Sequence, residues 1–280
     1  AGELYINQSV NANIMSCTFD GNTGSSNFSG NYYGTAGALY AYRNSINTIT
    51  NCTFSNNNSD GNGGAIKLHQ NSTYLTNNSI AGNTVTSASG KGGGILVDSQ
   101  TNTFLKNNLI ANNTINGSSN DFFSGGGTTT SNGFNIVESS VGYVFGSSGD
   151  ITGDQNDLFG TGIISTPALA DNNLINGTQT LSLSLGSVAI NEGDNTANGI
   201  VSVPLEDQRG ETRIGNVDIG SFEYGGTLGS SKIEEISHLK LYPTITSGII
   251  YINDNKPYHY KLYNTLGQEV KSGIAKSEID

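Results

Sequence analysis

Four glycines, Gly2, Gly37, Gly64 and Gly93, each open a short run of strand-forming residues. The runs are nearly alike: Glu-Leu-Tyr-Ile, Ala-Leu-Tyr-Ala, Ala-Ile-Lys-Leu and Gly-Ile-Leu-Val. A second run starts 11 or 12 residues after each glycine, at Ile14, Ile49, Leu75 and Leu105. An asparagine closes each unit, at Asn22, Asn57, Asn83 and Asn113. The glycines are 35, 27 and 29 residues apart. Self-similarity at such a period restricts the chain to architectures that stack one supersecondary unit on the next.

Each unit holds two or three runs of strand length and none with helical spacing of apolar residues. Leu4 and Ile6, Leu39 and Ala41, Ile66 and Leu68, Ile95 and Val97 fall on one face of the glycine-led strands. Tyr5 and Asn7, Tyr40 and Tyr42, Lys67 and His69, Leu96 and Asp98 fall on the other. One unit cannot bury its apolar side. Stacked units can, because equivalent side chains then lie over one another at roughly the 4.8 Å strand spacing. The fold class expected is all-β, a right-handed parallel β-helix, with the handedness following the general preference for right-handed crossovers. Asn and Gly suit sharp corners, and stacked Asn side chains hydrogen-bond from unit to unit. Cys17 and Cys52 share a register that Asn78 and Asn108 fill in later units. Stacked free thiols are expected there in preference to a disulfide or a metal site.

The net charge of −11 is concentrated: residues 136–224 carry twelve acids and two arginines, while the flanking stretches are nearly balanced. Nothing forms a basic footprint, which excludes nucleic acid as a partner. No stretch is apolar enough for a transmembrane segment. The chain opens inside a repeat with no signal peptide, so its N-terminus is expected to be cut from a longer protein. Asp150, Asp154 and Asp157 lack the spacing of an EF-hand loop. No metal and no cofactor is expected.

Past Asn120 the repeat loses regularity. Asp121-Phe-Phe, Ser131-Asn-Gly-Phe-Asn-Ile-Val, Thr166-Pro-Ala-Leu, Asp171-Asn-Asn-Leu-Ile-Asn-Gly-Thr and Gly186-Ser-Val-Ala-Ile-Asn-Glu-Gly-Asp follow in order. Then come Asp207-Gln-Arg-Gly-Glu-Thr-Arg and Asp218-Ile-Gly-Ser-Phe-Glu. This succession resembles the choice-of-anchor Q region of bacterial surface β-helix proteins, with Val188 and Asn191 departing from its usual proline and aspartate. The resemblance implies a terminal β-helix module displayed outside the cell and implies no reaction. Asp207, Arg209, Arg213, Asp218 and Glu223 are read as a structural cap over an open β-helix end, tied by arginine–carboxylate forks.

Gly225-Gly-Thr-Leu-Gly-Ser-Ser reads as a flexible linker. Beyond it, Leu239-Lys-Leu-Tyr-Pro-Thr, Gly248-Ile-Ile-Tyr-Ile and Tyr260-Lys-Leu-Tyr-Asn-Thr-Leu-Gly-Gln-Glu-Val are short strands with a turn at Asn264–Gly267. They resemble the C-terminal sorting domain of type IX secretion substrates of Gram-negative bacteria, with Tyr242-Pro243-Thr244-Ile245 in place of the family's Tyr-Pro-Asn-Pro. The resemblance implies an immunoglobulin-like β-sandwich whose last strands are missing, the type IX machinery as a partner, and a secreted or cell-surface location. The domains expected are therefore 1–135 (β-helix coils), 136–224 (terminal turns and cap), 225–237 (linker) and 238–280 (partial sorting domain).

The outward columns of the glycine-led strands bring Tyr40, Tyr42, Arg43, Lys67, His69 and Asp98 onto one expected ligand-binding face. Tyrosine rings stack on sugars, and Lys and Asp hydrogen-bond hydroxyls or uronates. The insertion Thr23–Ala36, with Phe28, Tyr32 and Tyr33, is placed to wall that face. The function expected is an exported cell-surface structural or adhesive protein binding a polysaccharide or surface glycan there. The alternative is a carbohydrate-active enzyme of the polysaccharide lyase type, with His69 or Lys67 as base and Arg43 neutralising a uronate. Asp98 has no facing carboxylate, which counts against a glycosidase, and no catalytic residue is assigned.

Overall fold

The computed structural model describes residues 4–8, 11–25, 36–43, 45–155, 158–159, 168–171, 178–225, 241–242, 250–252, 258–263, 269–276 and 278–279. Among them every regular element is a strand. The chain divides into two compact units, Ala1–Gly229 and Ser230–Asp280.

In the first unit four sheets are built from successive coils. Sheet I stacks Leu4–Asn7, Leu39–Tyr42, Ile66–His69, Ile95–Val97, Phe122–Ser124 and Ser140–Val141. Sheet II stacks Ala12–Met15, Ile46–Thr50, Ser72–Thr76, Asn102–Lys106 and Thr128–Ser131. Sheet III stacks Thr18–Asp20, Thr53–Ser55, Ser79–Ala81, Leu109–Ala111, Ile136–Val137 and Ile151–Thr152. Sheet IV holds Thr23–Gly24, Asn58–Ser59, Thr84–Val85 and Thr114–Ile115, to which Ser118–Ser119 adds antiparallel. All other pairings in these sheets are parallel, which is compatible with a parallel β-helix. The register follows the sequence repeat: Leu4 pairs with Leu39, Leu39 with Ile66, and Ile66 with Ile95. The two-residue strands of sheet IV were not expected, because two residues show no alternation.

The interior is the apolar set read from the repeat. Leu39, Ile66, Ile95, Ile49, Leu75, Leu105, Phe54, Ile80 and Ile110 are fully buried in one cluster. Each such side chain contributes roughly 1.5–3 kcal/mol. Leu4 departs from the pattern at 40% exposure, since it lies on the edge strand of sheet I. The leading glycines are needed for close approach between coils: a Cβ on Gly37 would lie 1.9 Å from the Gly64 carbonyl oxygen, and one on Gly64 equally close to that of Gly93.

Two asparagine ladders run between the coils. Asn22 donates its backbone N–H and its side-chain amide to Asn57 Oδ1 at 3.0 and 2.9 Å. Asn57 donates likewise to Asn83, and Asn83 to Asn113. The second ladder passes from Cys52 N–H to Asn78, Asn108 and Asn135. Both end on a carboxylate. Asn113 donates twice to Asp121 Oδ1 at 2.7 and 2.8 Å, and Asn135 donates to Asp150 Oδ1 from its backbone N–H at 3.0 Å and from its side-chain amide at 3.2 Å. Cys17 and Cys52 hold free thiols at the head of the second ladder's register. Asp150, weighed as a calcium ligand, is instead this ladder's terminus. Asp157 lies outside the described residues.

The acidic block does not sit over an open end in the contacts described. Its first residues supply strands of sheets I and III, and its residues 181–222 run along the outer face of sheet III. Leu158, Leu183, Ala189, Ile219 and Phe222 form a second core with Leu109, Ala111 and Ile136 of that sheet. Polar contacts follow the same flank from coil to coil. Gln208 donates to Thr18 Oγ1 and accepts from Thr53 Oγ1, Ser221 N–H donates to Ser79 Oγ, and Asn107 donates to the Asp194 carbonyl. The physical need is the same as for an end cap, because Leu109 and Ile136 point outward and require cover.

In the second unit, Leu241–Tyr242, Ile250–Ile252 and Glu278–Ile279 form an antiparallel sheet. Tyr258–Tyr263 and Glu269–Ala275 form an antiparallel pair on either side of the turn expected at 264–267, which itself lies outside the described residues. No helix among the described residues is long and apolar enough to cross a membrane.

Candidate functional site

Sheet I positions the expected ligand residues through its parallel register. Tyr40 is beside Lys67 and Tyr42 beside His69 because the strands pair at those positions. The side chains touch in an unbroken series. The Tyr40 and Tyr42 rings are 5.7 Å apart, and the Tyr42 and His69 rings 5.4 Å. His69 Nδ1 lies 3.2 Å from Asp98 Oδ2. The Arg43 guanidinium lies 4.7 Å from the centre of the Tyr42 ring, and Lys67 Nζ 4.9 Å from that of Tyr40. All six residues are therefore brought together.

They are not all open to solvent, as a plain strand face would be. Tyr40 is 4% exposed, Tyr42 6% and Lys67 4%. Ala36, the last residue of the Thr23–Ala36 insertion, packs against both tyrosines. Phe28, Tyr32 and Tyr33 of that insertion lie outside the described residues. Arg43, His69 and Asp98 keep partial exposure and form the rim of the cluster. Alternation along a strand predicts which side a residue faces and carries no information about what covers it. A buried Lys67 lying against an aromatic ring is poorly placed to take a proton from a soluble polymer. His69 keeps partial exposure at the rim, with Asp98 beside it.

Beside this rim is the corner between sheets I and II. Gln8, Arg43, Gln70 and Gln100 occupy it in four successive coils, all in the left-handed backbone region with φ of 50°, 59°, 57° and 55°. Gln70 donates its side-chain amide to Gln100 Oε1 at 2.9 Å. A groove of 310 Å³ opens here, floored by Ser45, Asn71 and Ser72 and walled by Gln70, Gln100 and Ile46. The row was legible in part: each of the four residues follows its leading glycine by six or seven positions.

The Asp207–Glu223 cluster is buried and consumed by its own contacts. Asp207 accepts from the backbone N–H groups of Arg209, Glu211 and Glu223, and pairs with the Arg209 side chain at 2.7 Å. Glu223 accepts from Ile214 N–H and Asp218 N–H and pairs with Arg213 at 3.0 Å. Asp218 accepts from Asn191 N–H and Tyr224 N–H. Arg213 also donates to Asn51 Oδ1, fastening the segment to a coil corner. The Arg209 guanidinium stacks 3.8 Å from the centre of the Phe222 ring. Burial pushes Asp218 up to about 6 against the backbone N–H groups that lower it. Desolvation likewise pulls Arg213 below its ordinary value, opposed by Glu223. Carboxylates held by backbone donors and arginine forks in this way serve to fix chain geometry.

No protein-family model matches the chain, and no curated protein matches it.

Proposed function

We propose that this chain is an exported cell-surface structural and adhesive protein. In this reading the first unit is a right-handed parallel β-helix closed by a choice-of-anchor Q-like segment. The second is a partial, immunoglobulin-like sorting domain addressed to the type IX secretion machinery of a Gram-negative bacterium. Its partner is a polysaccharide or surface glycan, held along sheet I.

One observation carries the proposal: the contact series Arg43–Tyr42–His69–Asp98 crosses three coils and ends at a partly exposed rim. Such a series offers aromatic, donor and acceptor groups at one coil spacing, which is how a repeating polymer is met by a repeating protein. The buried acid–arginine cluster supports a structural role for the acidic block, because its carboxylates are held by backbone N–H groups and by Arg209 and Arg213.

The contact of His69 with Asp98 favours a second reading, a polysaccharide lyase with His69 as base. A panel of immobilised glycans separates the two. Retention that Tyr42→Ala and His69→Ala weaken, without product, is the expected result. Release of unsaturated uronate from pectin or alginate moves the assignment to the lyase, and retention of no glycan at all overturns the adhesive proposal.

A further inference from the structure

Three of the four coil corners solve one backbone problem with different residues, the fourth, between sheets IV and I, using Gly63 and Gly92. Each needs a residue at positive φ, where most L-residues are strained. At the corner between sheets II and III the chain uses Ser16, Asn51, Asn77 and Asn107, and between III and IV it uses Gly21, Asn56, Gly82 and Asn112. These are mostly residue types that accept left-handed angles cheaply. At the corner between sheets I and II it uses Gln8, Arg43, Gln70 and Gln100, and only in the next coil does Gly126 appear. Glutamine and arginine have no local hydrogen-bonding preference for this conformation, so the same strain is borne in four consecutive coils. Strain retained where a cheaper residue is available elsewhere in the same repeat points to a use for the side chain.

That use is defined by what the corner presents. Four long polar side chains project in a row that three coil spacings make about 14 Å long. Gln100 and Asn102 are exposed, Gln70 half-buried, and the floor of Ser45, Asn71 and Ser72 is polar. Asn71 is held rigid by donating to the Ala41 carbonyl at 2.7 Å. Among the described residues that line the groove none is charged. Amides and hydroxyls offer donors and acceptors together, which matches a polymer of hydroxyl groups. A polymer with a carboxylate on each sugar would lose hydration there and meet a cation only at Arg43.

We propose that the corner between sheets I and II is a binding site for a neutral, hydroxyl-rich polysaccharide, lying across the coils with its hydroxyls on Gln70, Gln100 and Asn102. This rests on the adhesive reading above and moves the contact from the largely closed tyrosine cluster to the groove beside it.

The experiment uses the full chain and the double substitution Gln70→Gly with Gln100→Gly. Glycine accepts the left-handed angle without strain, so the variant keeps its fold, and circular dichroism confirms it before binding is compared. Neutral polymers (a β-glucan, a mannan) and anionic ones (polygalacturonate, alginate) are run in affinity electrophoresis at low and high salt. The expected result is retention of a neutral polymer, independent of salt, weakened at least tenfold in the variant. Retention of anionic polymers alone, or neutral retention that the variant leaves unchanged, overturns the groove assignment while the adhesive reading stands. Retention of no polymer overturns both.

Discussion

Asn83→Ala is the sharpest test of how the coils are held. Asn83 is fully buried and makes four side-chain hydrogen bonds. Its Oδ1 accepts from Asn57 N–H at 3.0 Å and from the Asn57 amide at 2.8 Å. Its own amide donates to the Phe54 carbonyl at 3.0 Å and to Asn113 Oδ1 at 2.8 Å. At about 1 kcal/mol net for each bond the loss is about 4 kcal/mol. A second route gives a similar figure. Two donors on Asn57 are left buried without an acceptor, at about 1–3 kcal/mol each. For a domain of this size about 4 kcal/mol lowers Tm by roughly 8–16 °C. Thermal unfolding followed by far-UV circular dichroism reads the shift. A drop below about 2 °C, equivalent to less than about 1 kcal/mol, refutes the claim that the ladder is an energetic element of the stack.

Two further outcomes follow from the buried charges. Burial raises Asp121 and Asp218 to about 6 from an ordinary 3.8, so between those values the folded chain binds more protons than the unfolded one. Each group then withdraws stability as pH rises through that window, about 1 kcal/mol per group between pH 5 and 7. Tm measured from pH 5 to 7 falls in the parent and falls about half as far in Asp121→Asn, and a parent Tm that is flat or rising refutes the assignment. Arg213→Met leaves Glu223 buried without its cation and costs about 3–5 kcal/mol in urea unfolding, while Arg213→Met with Glu223→Gln costs less. Equal costs refute the pairing as the source.

The registers were legible because they are written in residues that repeat. Gly37, Gly64 and Gly93 recur where backbones nearly touch, and the closing asparagines recur where a donor must meet an acceptor one coil away. Cys17 and Cys52 fell in register for the same reason. Three things were not legible. The strands of sheet IV are two residues long, too short for any period. The closure over Tyr40, Tyr42 and Lys67 depends on what packs above them, which parity along a strand does not encode. The lateral course of residues 181–222 depends on contacts such as Gln208 with Thr18, 190 residues apart. Its sequence reads as a cap over an open β-helix end, whereas the described contacts run along sheet III. At the candidate site the six residues named from sequence do meet, whereas the glutamine corner was visible only as an offset from the glycine until its backbone angles were known.

The ladders also have chemically defined ends. Within each ladder the asparagine side chains pass an amide hydrogen forward to the Oδ1 in the next coil and also donate back to a carbonyl of the preceding coil, as Asn83 does to Asn113 and to Phe54, so the links between side chains all run in one sense. A further asparagine at the end would again present an amide hydrogen requiring an acceptor. An aspartate does not, because an ionised carboxylate only accepts. Asp121 takes both donors of Asn113 on Oδ1 and turns Oδ2 to Ser139 N–H and Oγ–H at 3.0 and 2.6 Å. Asp150 takes Asn135 on Oδ1 and Ser147 N–H on Oδ2. Each carboxylate stands where the last forward donors of its ladder need an acceptor that brings no further donor. Ladder length is thus set by one residue at its end, Asp121 for the first ladder and Asp150 for the second, while parallel strands continue past Asp121 through Phe122–Ser124, Thr128–Ser131 and Ile136–Val137.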